Sequence, residues 1–317
     1  MAGSEALAAE AAERWRRGEL VAFPTETVYG LGAAARDSAA VAKVFAAKGR
    51  PADHPLIVHL AAADVAPAWA RSWEPRAARL AAAFWPGPLT LIVPRAADVP
   101  DAVTGGQDTV GLRVPNHALA LSLLEAFGEG VAAPSANRFG AVSPTTAAHV
   151  ALELGGAVDL IVDGGPCRVG VESTIVDLSG EAARLLRPGG VPAEAIEEAL
   201  GTPLAASGPE APRAPGTLNS HYAPRAELRV VAPAAVDAAL ADALRAGRRV
   251  VHLGAEDRGA PRIALPASFE GAARRLYAAL REVDVAGFEL AVVALPEARG
   301  LGRAVADRLK RAAAPRE

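Results

Sequence analysis

Residues 22–32, AFPTETVYGLG, decide how the first half of this 317-residue chain is interpreted. The apolar segment LVAF at 20–23 is typical of a buried strand, and Pro24 ends it because proline has no donor for the ladder. Gly30 and Gly32 predict a turn whose backbone conformations are closed to other residues. A threonine-rich strand before a turn is one interpretation. The other is a ligand site at a strand end, where open α/β sheets bind ligands through hydroxyls such as Thr25, Thr27 and Tyr29.

The composition predicts a globular protein of about two domains. Hydrophobic residues make up 51% of the chain and charged residues 22%. No apolar run approaches the roughly 20 residues that span a bilayer, so no membrane partner is expected. The N-terminal segment MAGSEALAAEAAERWRRGE is amphipathic and acidic, unlike a secretory signal or a transit peptide. We therefore expect the first helix of a cytoplasmic protein.

Charge and cysteine content narrow the classes of function. Cys167 is the only cysteine, which excludes an intramolecular disulfide and a thiolate zinc cluster. Residues 1–200 carry 16 basic and 23 acidic residues, a balance of −7, and residues 201–317 carry 17 and 13, a balance of +4. Neither half has the strong basic excess of a protein that binds nucleic acid tightly.

Short β-branched segments alternate with helical segments through the first two hundred residues. One predicted helix, 144–154, opens with SPTTAAHV, with Ser143 as its N-cap and Pro144 at its first position. The alternation predicts an α/β fold with a twisted, partly mixed open sheet. The predicted strands are 20–23, 56–60, 89–93, 109–114, 131–133, 160–163, 173–178 and 184–188, and the predicted helices are 4–18, 38–47, 75–84, 117–127, 144–154 and 192–200.

A proline-rich segment separates this unit from a second one. Residues 201–225 hold five prolines and show no hydrophobic periodicity, which indicates a linker. The alternation then restarts and is typical of a smaller Rossmann-like α/β unit. We predict three parts: a domain at 1–200, a linker at 201–225 and a C-terminal α/β domain at 226–317. The strands expected in the last part are 228–232, 249–253, 262–265 and 289–294, and the helices are 234–246, 268–283 and 300–313.

Candidate ligand-binding side chains fall in loops of an otherwise apolar chain. In AAKGRPADHPLIVHL, at 46–60, Lys48 and Arg50 end a helix, where basic residues favour the helix dipole. The chain has 3 lysines among its 33 basic residues, however, and an ammonium beside a guanidinium suits a polyphosphate. In TVGLRVP, Thr109 and Arg113 lie on one face of a strand, because four residues is an even step.

Two further segments add polar groups. VAAPSANRFGAVSPTT, at 131–146, supplies three polar side chains from a loop before a helix N-terminus, a natural anion site. GVESTIVDL and RLLRPG add two hydroxyls and an arginine. No Walker loop, HExxH motif or cysteine pair is present. The candidate residues from the segments that are present are Ser135, Asn137, Ser143, Ser173, Thr174 and Arg187.

In this order, the motifs resemble the YrdC/Sua5 family: FPTETVYGLG, KGRP with a following PL, the Lys48/Arg50 pair, the Ser135/Asn137 pair, GVESTIVD and LLRPG. The resemblance covers about residues 5–200, and PGTLNSHYAP with the C-terminal unit resembles the longer Sua5 form. It implies a YrdC-like catalytic domain and a nucleotidyltransferase, an L-threonylcarbamoyladenylate synthase. Such an enzyme makes threonylcarbamoyl-AMP and pyrophosphate from L-threonine, bicarbonate and ATP, for the threonylcarbamoyl modification of adenosine 37 in tRNA.

The resemblance also implies roles for individual residues. Lys48 and Arg50 would stabilise charge on the phosphates as catalytic residues. Mg²⁺ would be held mainly by the phosphates of ATP, so no protein metal ligands are expected. Because two anions must meet, a cationic site that positions them is expected in place of a protein nucleophile. Threonine would be bound by Thr25, His59, Arg113 and Ser173, and ATP by Lys48, Arg50, His54, Thr109, the backbone of Ala133, Ser135, Asn137, Ser143, Arg187 and Tyr222.

The chain departs from the family pattern in two places. His54 stands where the family commonly has asparagine, and basic residues usual before the His-Tyr pair of the linker are missing. Tyr222 is interpreted as part of a lid over the cleft, or else as a tether that packs on the first domain. The alternative functions are an RNA-binding YrdC-like module, with weak tRNA contact through a local patch, and an adenylate-binding relative without synthase activity. A tRNA threonylcarbamoyl transferase is the expected downstream partner.

Overall fold

The computed structural model describes residues 2–208, 210–218 and 220–315. Five residues of the predicted domains and linker, including the asparagine of PGTLNSHYAP, lie outside the described residues: Met1, Pro209, Asn219, Arg316 and Glu317. The α-helices of the described part are α1 (Ala2–Arg16), α2 (Ser38–Lys48), α3 (Pro75–Phe84), α4 (Asp101–Thr104), α5 (Ala118–Phe127), α6 (Ala147–Leu154), α7 (Ala193–Leu200), α8 (Val236–Arg245), α9 (Phe269–Val285) and α10 (Leu301–Ala313). Short 3₁₀ helices lie at Ala66–Trp69, Gly155–Ala157 and Pro233–Ala235.

Among the described residues, ten strands form one sheet: β1 (Val21–Phe23), β2 (Gly30–Ala34), β3 (Ile57–His59), β4 (Leu89–Pro94), β5 (Thr109–Arg113), β6 (Val131–Ala132), β7 (Leu160–Ile161), β8 (Thr174–Asp177), β9 (Arg184–Arg187) and β10 (Ala205–Ala206). Their order across the sheet is β10-β9-β8-β4-β5-β3-β6-β2-β1-β7. The pairs β10/β9, β8/β4, β5/β3 and β1/β7 are parallel, and the others are antiparallel. The predicted mixed open α/β fold is therefore confirmed.

A second, smaller sheet lies in the C-terminal part. Its strands are β11 (Glu227–Val231), β12 (Val250–Gly254), β13 (Arg262–Ala264) and β14 (Leu290–Ala294), in the order β11-β14-β12-β13. All three pairings are parallel, as expected of a unit in which helices connect the strands. The smaller α/β unit is confirmed. The boundaries at 200 and 225 stay predictions, and β10 shows that the first sheet continues into the predicted linker.

The predicted turn at Gly30 and Gly32 is wrong, because both residues belong to β2, which pairs antiparallel with β1. Neither glycine has a positive φ. A Cβ at Gly32 would lie 2.7 Å from Cγ1 of Val131 and 2.9 Å from Cε1 of Phe23. Crowding inside the sheet, and not backbone freedom, therefore explains the glycine here.

The predicted start of the helix at 144–154 is also wrong. Helix α6 begins at Ala147, and its N-cap is Thr146, whose hydroxyl accepts a hydrogen bond from the His149 amide. The carbonyl of Pro144 instead accepts from the Tyr29 amide at 2.9 Å, which fixes the loop on the sheet. This hydrogen bond, between residues far apart in the sequence, outweighs the local preference of Ser143 for an N-cap position.

The two halves of the chain have separate apolar cores that meet beside the loop after β1. In the first half, α1 packs against α5, and the indole of the fully buried Trp15 donates to the carbonyl of Gly32 at 3.1 Å. In the second half, α9 and α10 pack on the parallel sheet. Val28 and Val171 of the first half belong to that second core, so the C-terminal unit contacts the loops at the strand ends.

No helix within the described ranges is both long and apolar enough to cross a bilayer. A cytoplasmic location stays a prediction.

Candidate active site

A cavity lies where the loops of the first sheet, the linker and the C-terminal unit meet. It is a partly open cleft that holds about 550 Å³ of space free of protein atoms, some of it continuous with solvent. Its wall combines three guanidinium groups, several hydroxyls and apolar side chains. The lining is Thr25, Thr27, Val28, Gly30, Arg50, Ile57, His59, Arg113, Ala133, Pro134, Ser135, Glu172, Ser173, Arg187, Pro215, Gly216, His221 and Tyr222.

The loop after β1 is held in shape by the hydroxyl of Thr25. This oxygen donates to the carbonyl of Val28 at 2.6 Å and accepts from the amides of Thr27 and Val28 at 3.1 and 3.2 Å. Thr25, Thr27 and Val28 all line the cavity. Tyr29 does not, because its hydroxyl donates to the carbonyl of Gly165 at 2.8 Å on the other side of the loop. Of the three hydroxyl residues expected at a ligand site, Thr25 and Thr27 therefore line the cavity and Tyr29 does not.

Arg113 and His59 form a second part of the wall, at the ends of the parallel strands β5 and β3. Nη2 of Arg113 lies 2.8 Å from Oε2 of Glu26, and both side chains are buried. Nε of Arg113 donates to the carbonyl of Gly87 at 3.3 Å. Burial, reinforced by the Arg113 charge, lowers the pKa of His59 to about 3, so the imidazole is neutral at physiological pH.

Lys48 lies behind the cavity wall, although the sequence predicts it as a phosphate ligand. Its side chain is 3% exposed, and Nζ donates to the carbonyls of Ser135, at 2.5 Å, and Asn137. Burial and the nearby Arg50 charge lower the pKa of Lys48 well below its usual range. Through these two hydrogen bonds, Nζ fixes the loop that presents Ser135 to the cavity.

Arg50 faces the cavity directly. It follows α2, which ends at Gly49 in a left-handed conformation with φ 61°, as a helix C-terminus commonly does. Nη2 of Arg50 donates to the carbonyl of Pro55 at 3.1 Å, and the guanidinium carbon lies 5.7 Å from the centroid of the Phe139 ring. Burial lowers the pKa of Arg50 to about 10, so the side chain remains a cation.

Arg187 joins three segments of the chain at the cavity. Its Nε and Nη2 donate to the carbonyl of Ser173 at 3.1 and 2.9 Å, and Nη2 also donates to the Ser173 hydroxyl at 3.0 Å. Nη1 donates to the carbonyl of Pro215 in the linker at 2.9 Å. The Ser173 hydroxyl lies 2.8 Å from that of Thr90. Ser173 is thereby held in a fixed orientation.

The linker covers the cavity with Pro215, Gly216, His221 and Tyr222. Tyr222 is 1% exposed and has a φ of 62°, which is uncommon for a residue other than glycine. Its ring centroid lies 4.1 Å from that of His221. Burial lowers the pKa of His221 to about 3, since the nearby Glu172 charge only partly opposes it.

Glu172 is the carboxylate in the described lining, and its charge is compensated from the C-terminal unit. Oε2 accepts from Nε of Arg308 and from the hydroxyl of Tyr277, both at 2.7 Å, and Oε1 accepts from Ser143 at 2.7 Å. Burial alone would raise the pKa of Glu172. The charges of Arg308 and Arg187, together with these hydrogen bonds, outweigh burial and hold it at about 2.

A second cavity of about 260 Å³ adjoins the first and shares Ile57 and Pro215 with it. Its wall combines apolar side chains with four polar residues, Thr90, Gln107, Thr109 and Arg213. The amide of Gln107 holds the linker, because it donates to the carbonyl of Arg213 at 3.2 Å and accepts from the Arg213 amide at 2.7 Å. The complete lining is Pro55, Leu56, Ile57, Thr90, Ile92, Gln107, Thr109, Gly111, Ile175, Arg213 and Pro215.

Most of the predicted site residues come together, although five besides Tyr29 line neither cavity in the described structure: Lys48, His54, Asn137, Ser143 and Thr174. The amide of Asn137 orders its own loop by donating to the carbonyls of Arg138 and Ala141 at 2.7 and 2.9 Å. The ring of His54 packs edge-on against Phe139, and burial lowers its pKa. The residues that line the first cavity are Thr25, Arg50, His59, Arg113, Ala133, Ser135, Ser173, Arg187 and Tyr222, and Thr109 lines the second.

Other cavity residues were not predicted. Glu172 and His221 belong to the motifs GVESTIVD and PGTLNSHYAP, so these motifs could have indicated them as site residues. Tyr277 on α9 and Arg308 on α10 do not line the cavity but donate hydrogen bonds to Glu172, which does. No motif marks them, because their role arises from how the C-terminal unit packs against the loops of the first half.

Comparison with known proteins agrees with this architecture. The family model described as "Telomere recombination" matches residues 13–189, and that described as "Threonylcarbamoyl-AMP synthase, C-terminal domain" matches residues 191–314. A relative from Pyrococcus abyssi named threonylcarbamoyl-AMP synthase is 43% identical over 309 residues, 94% of this chain and 91% of the relative. Its namesake from Bacillus subtilis is 41% identical over 322 residues, 97% of this chain and 93% of the relative. The crystal structure of P. abyssi Sua5 complexed with L-threonine covers 98% of this chain and 94% of its own, at 42% identity and a TM-score of 0.93. The chain belongs to the Sua5/YciO/YrdC family and includes the C-terminal domain found in threonylcarbamoyl-AMP synthases.

Proposed function

We propose that this protein is an L-threonylcarbamoyladenylate synthase, which converts L-threonine, bicarbonate and ATP into threonylcarbamoyl-AMP and pyrophosphate. One observation carries the proposal: the guanidinium groups of Arg50, Arg113 and Arg187 surround a single cavity. A site of this kind suits the meeting of several anions, which is what the reaction requires. The names of the relatives and the L-threonine in the P. abyssi structure support this assignment.

The amino acid is proposed to bind beside the loop after β1. Arg113 would hold the carboxylate of threonine through its fork of N–H groups. His59, neutral because burial lowers its pKa to about 3, can accept or donate a hydrogen bond there without adding charge. Ser173 and the loop of Thr25 would complete the pocket.

The reaction then joins two anions. The amine of threonine, as the free base, attacks CO₂ or bicarbonate to form a carbamate, with water as the other product from bicarbonate. A carbamate oxygen next forms a bond to the α-phosphorus of ATP, and the bond from that phosphorus to the bridging oxygen of pyrophosphate breaks. Arg50 and Arg187 would stabilise the charge on the phosphates, and Lys48 would add positive potential while it holds the Ser135 loop.

The second cavity is the proposed site of the adenosine end. Its apolar wall of Ile57, Ile92 and Ile175 fits the face of a base, while Thr109 and Gln107 offer hydrogen-bonding groups. Because the two cavities adjoin at Ile57 and Pro215, one nucleotide could extend through both.

We expect Mg²⁺ to enter the site bound to the triphosphate of ATP. Within the described residues, no three His, Cys, Asp or Glu side chains come together as metal ligands. The Glu172 carboxylate already accepts three hydrogen bonds. Held by phosphates and water, the ion would neutralise charge on the departing pyrophosphate. Arg50 and Arg187 are the side chains that would meet the metal-bearing phosphates.

The decisive experiment incubates the purified protein with ATP, L-threonine, bicarbonate and Mg²⁺ and measures pyrophosphate and threonylcarbamoyl-AMP. Threonine-dependent formation of both supports the proposal, and omission of bicarbonate should lower the rate. Absence of threonine-dependent pyrophosphate would overturn it. In that case, salt-dependent binding of tRNA without turnover would support the RNA-binding alternative. The product would pass to an enzyme that transfers the threonylcarbamoyl group to tRNA.

A further inference from the structure

Glu172 poses an electrostatic problem for a cavity that accepts ATP. Its carboxylate lines the same space as Arg50 and Arg187, which the proposed function assigns to the phosphates. A carboxylate that faces a triphosphate repels it, and the repulsion between like charges is strong in a buried site. The cavity can therefore bind a nucleotide well only if the Glu172 charge is compensated.

That compensation comes from the C-terminal unit. Arg308, on α10, is fully buried, and its Nε donates to Oε2 of Glu172 at 2.7 Å. Tyr277, on α9, donates its hydroxyl to the same oxygen at 2.7 Å. The hydroxyl of Ser143 donates to the other oxygen of Glu172, Oε1. The carboxylate is thus fixed by two residues that follow it in the sequence by more than one hundred positions.

The same two residues support the linker. The guanidinium carbon of Arg308 lies 5.2 Å from the centroid of the Tyr222 ring, in a cation–π contact, and the ring of Tyr277 lies 5.6 Å from it. Tyr222 keeps its φ of 62° while packed on them. Glu172 and the linker that covers the cavity therefore depend on the same buried cluster.

We infer that Arg308 and Tyr277 of the C-terminal unit are positioning residues for the proposed reaction, which neutralise and orient Glu172 so that the cavity accepts the triphosphate. This inference rests on the proposed function. It gives the C-terminal unit a role within the active site, in place of a separate binding module. The predicted consequence is that loss of either residue weakens ATP binding because Glu172 remains charged.

A mutant cycle tests the mechanism. Arg308→Met leaves a buried unpaired carboxylate, and we expect the Kd for ATP to rise about tenfold or more. Adding Glu172→Gln removes that charge, so the double variant Glu172→Gln/Arg308→Met should return the Kd to near the wild-type value. Because loss of the buried charge would also restore stability, the Kd values are compared at a temperature where circular dichroism shows every variant to be folded. A double variant that binds ATP as weakly as Arg308→Met would overturn the inference.

A milder variant keeps the test decisive if Arg308→Met unfolds, since breaking a buried pair is strongly destabilising. Tyr277→Phe removes only the hydroxyl and retains the ring, and we expect it to raise the Kd for ATP about threefold. Arg303→Gln is the matched control, because Arg303 makes an exposed ion pair with Glu194, at 3.1 Å, between the two units. Its Kd for ATP should not change. An unchanged Kd in a folded Tyr277→Phe variant would contradict the inference.

Direct measurement of ATP binding by calorimetry separates this inference from the proposed reaction. If the wild-type protein binds ATP but forms no threonine-dependent pyrophosphate, the proposed function fails, and an effect of these variants on ATP binding still supports the role of the cluster. If the wild-type protein makes the product and the variants bind ATP normally, the inference alone fails.

Discussion

Oε2 of Glu26 lies 2.8 Å from Nη2 of Arg113, and the two side chains are 2% and 4% exposed. Neither Glu26 oxygen makes a hydrogen bond of good geometry within the described residues, so the contact is an ion pair. Glu26 thus fixes the Arg113 guanidinium, and the Arg113 side chain still lines the cavity. The acidic residue of FPTETVYGLG therefore positions the arginine to which the proposed function assigns the threonine carboxylate.

Replacing Glu26 with Gln should raise the KM for L-threonine about tenfold, with a smaller effect on kcat, because Arg113 loses the charge that orients it. Steady-state kinetics at saturating ATP measure both parameters. Glu19→Gln is the control, since Glu19 makes an ion pair with Arg14, at 3.1 Å, and neither residue lines the cavity. Equal KM values for the Glu26 variant and the wild type would contradict the positioning role.

Replacing Lys48 with Met should lower kcat about 100-fold, the usual effect of losing one preorganised electrostatic group. The variant loses both the positive potential near the phosphates and the hydrogen bonds that hold the Ser135 loop. Lys43→Met is a matched control, because Lys43 is on the same helix and also donates to a carbonyl, that of Gly18 at 2.6 Å. The rate of pyrophosphate release at saturating ATP measures the kcat of both lysine variants. Near-normal turnover of Lys48→Met would show that the lysine is not catalytic.

The sequence predicts the strands and helices of this protein well where apolar residues alternate with clear breaks. It fails at β2, because crowding by Val131 and Phe23, which lie on other strands, cannot be deduced from a local glycine pattern. It fails at the start of α6 because a hydrogen bond from Tyr29 competes with the capping signal of Ser143. Both errors arise where distant parts of the chain decide a local conformation.

For the candidate site, the order of the motifs predicted most of the residues that line the cavity. It did not show which of the predicted residues lie behind the cavity wall. Lys48 and Asn137 lie behind the wall, since their polar groups satisfy loop carbonyls. Arg308 and Tyr277 could not be predicted, because only the packing of the C-terminal unit against the loops of the first half brings them to Glu172. Contacts between units leave no periodic pattern in the sequence.

Replacing Gly216 with Ala should weaken ATP binding by displacing the linker. Gly216 has a φ of 74°, and an added Cβ would lie 2.0 Å from the Tyr222 hydroxyl. Gly201→Ala is the matched control, because its φ is 72° and an added Cβ would meet nothing within 4 Å. Both variants should lose about 1–2 kcal/mol of stability to backbone strain, but only Gly216→Ala should raise the KM for ATP, by about tenfold. The same KM in both variants would show that the linker does not shape the nucleotide site.

The protein should lose stability as the pH falls below 6.5, before its carboxylates are protonated. Burial lowers the pKa of both His59 and His221 to about 3 in the folded state. Below pH 6.5 the unfolded chain binds protons that the folded chain excludes, so each histidine lowers the free energy of unfolding by about 1.4 kcal/mol per pH unit down to that value. Glu172, whose pKa is lowered to about 2, adds to the loss only below about pH 4.5. Urea unfolding between pH 7.5 and 5.0 should show at least this slope, because the pKa values of the other histidines are lowered too, and His221→Gln should reduce the slope by the contribution of one histidine. An equal slope in the variant and the wild type would mean that His221 takes up its proton in the folded state.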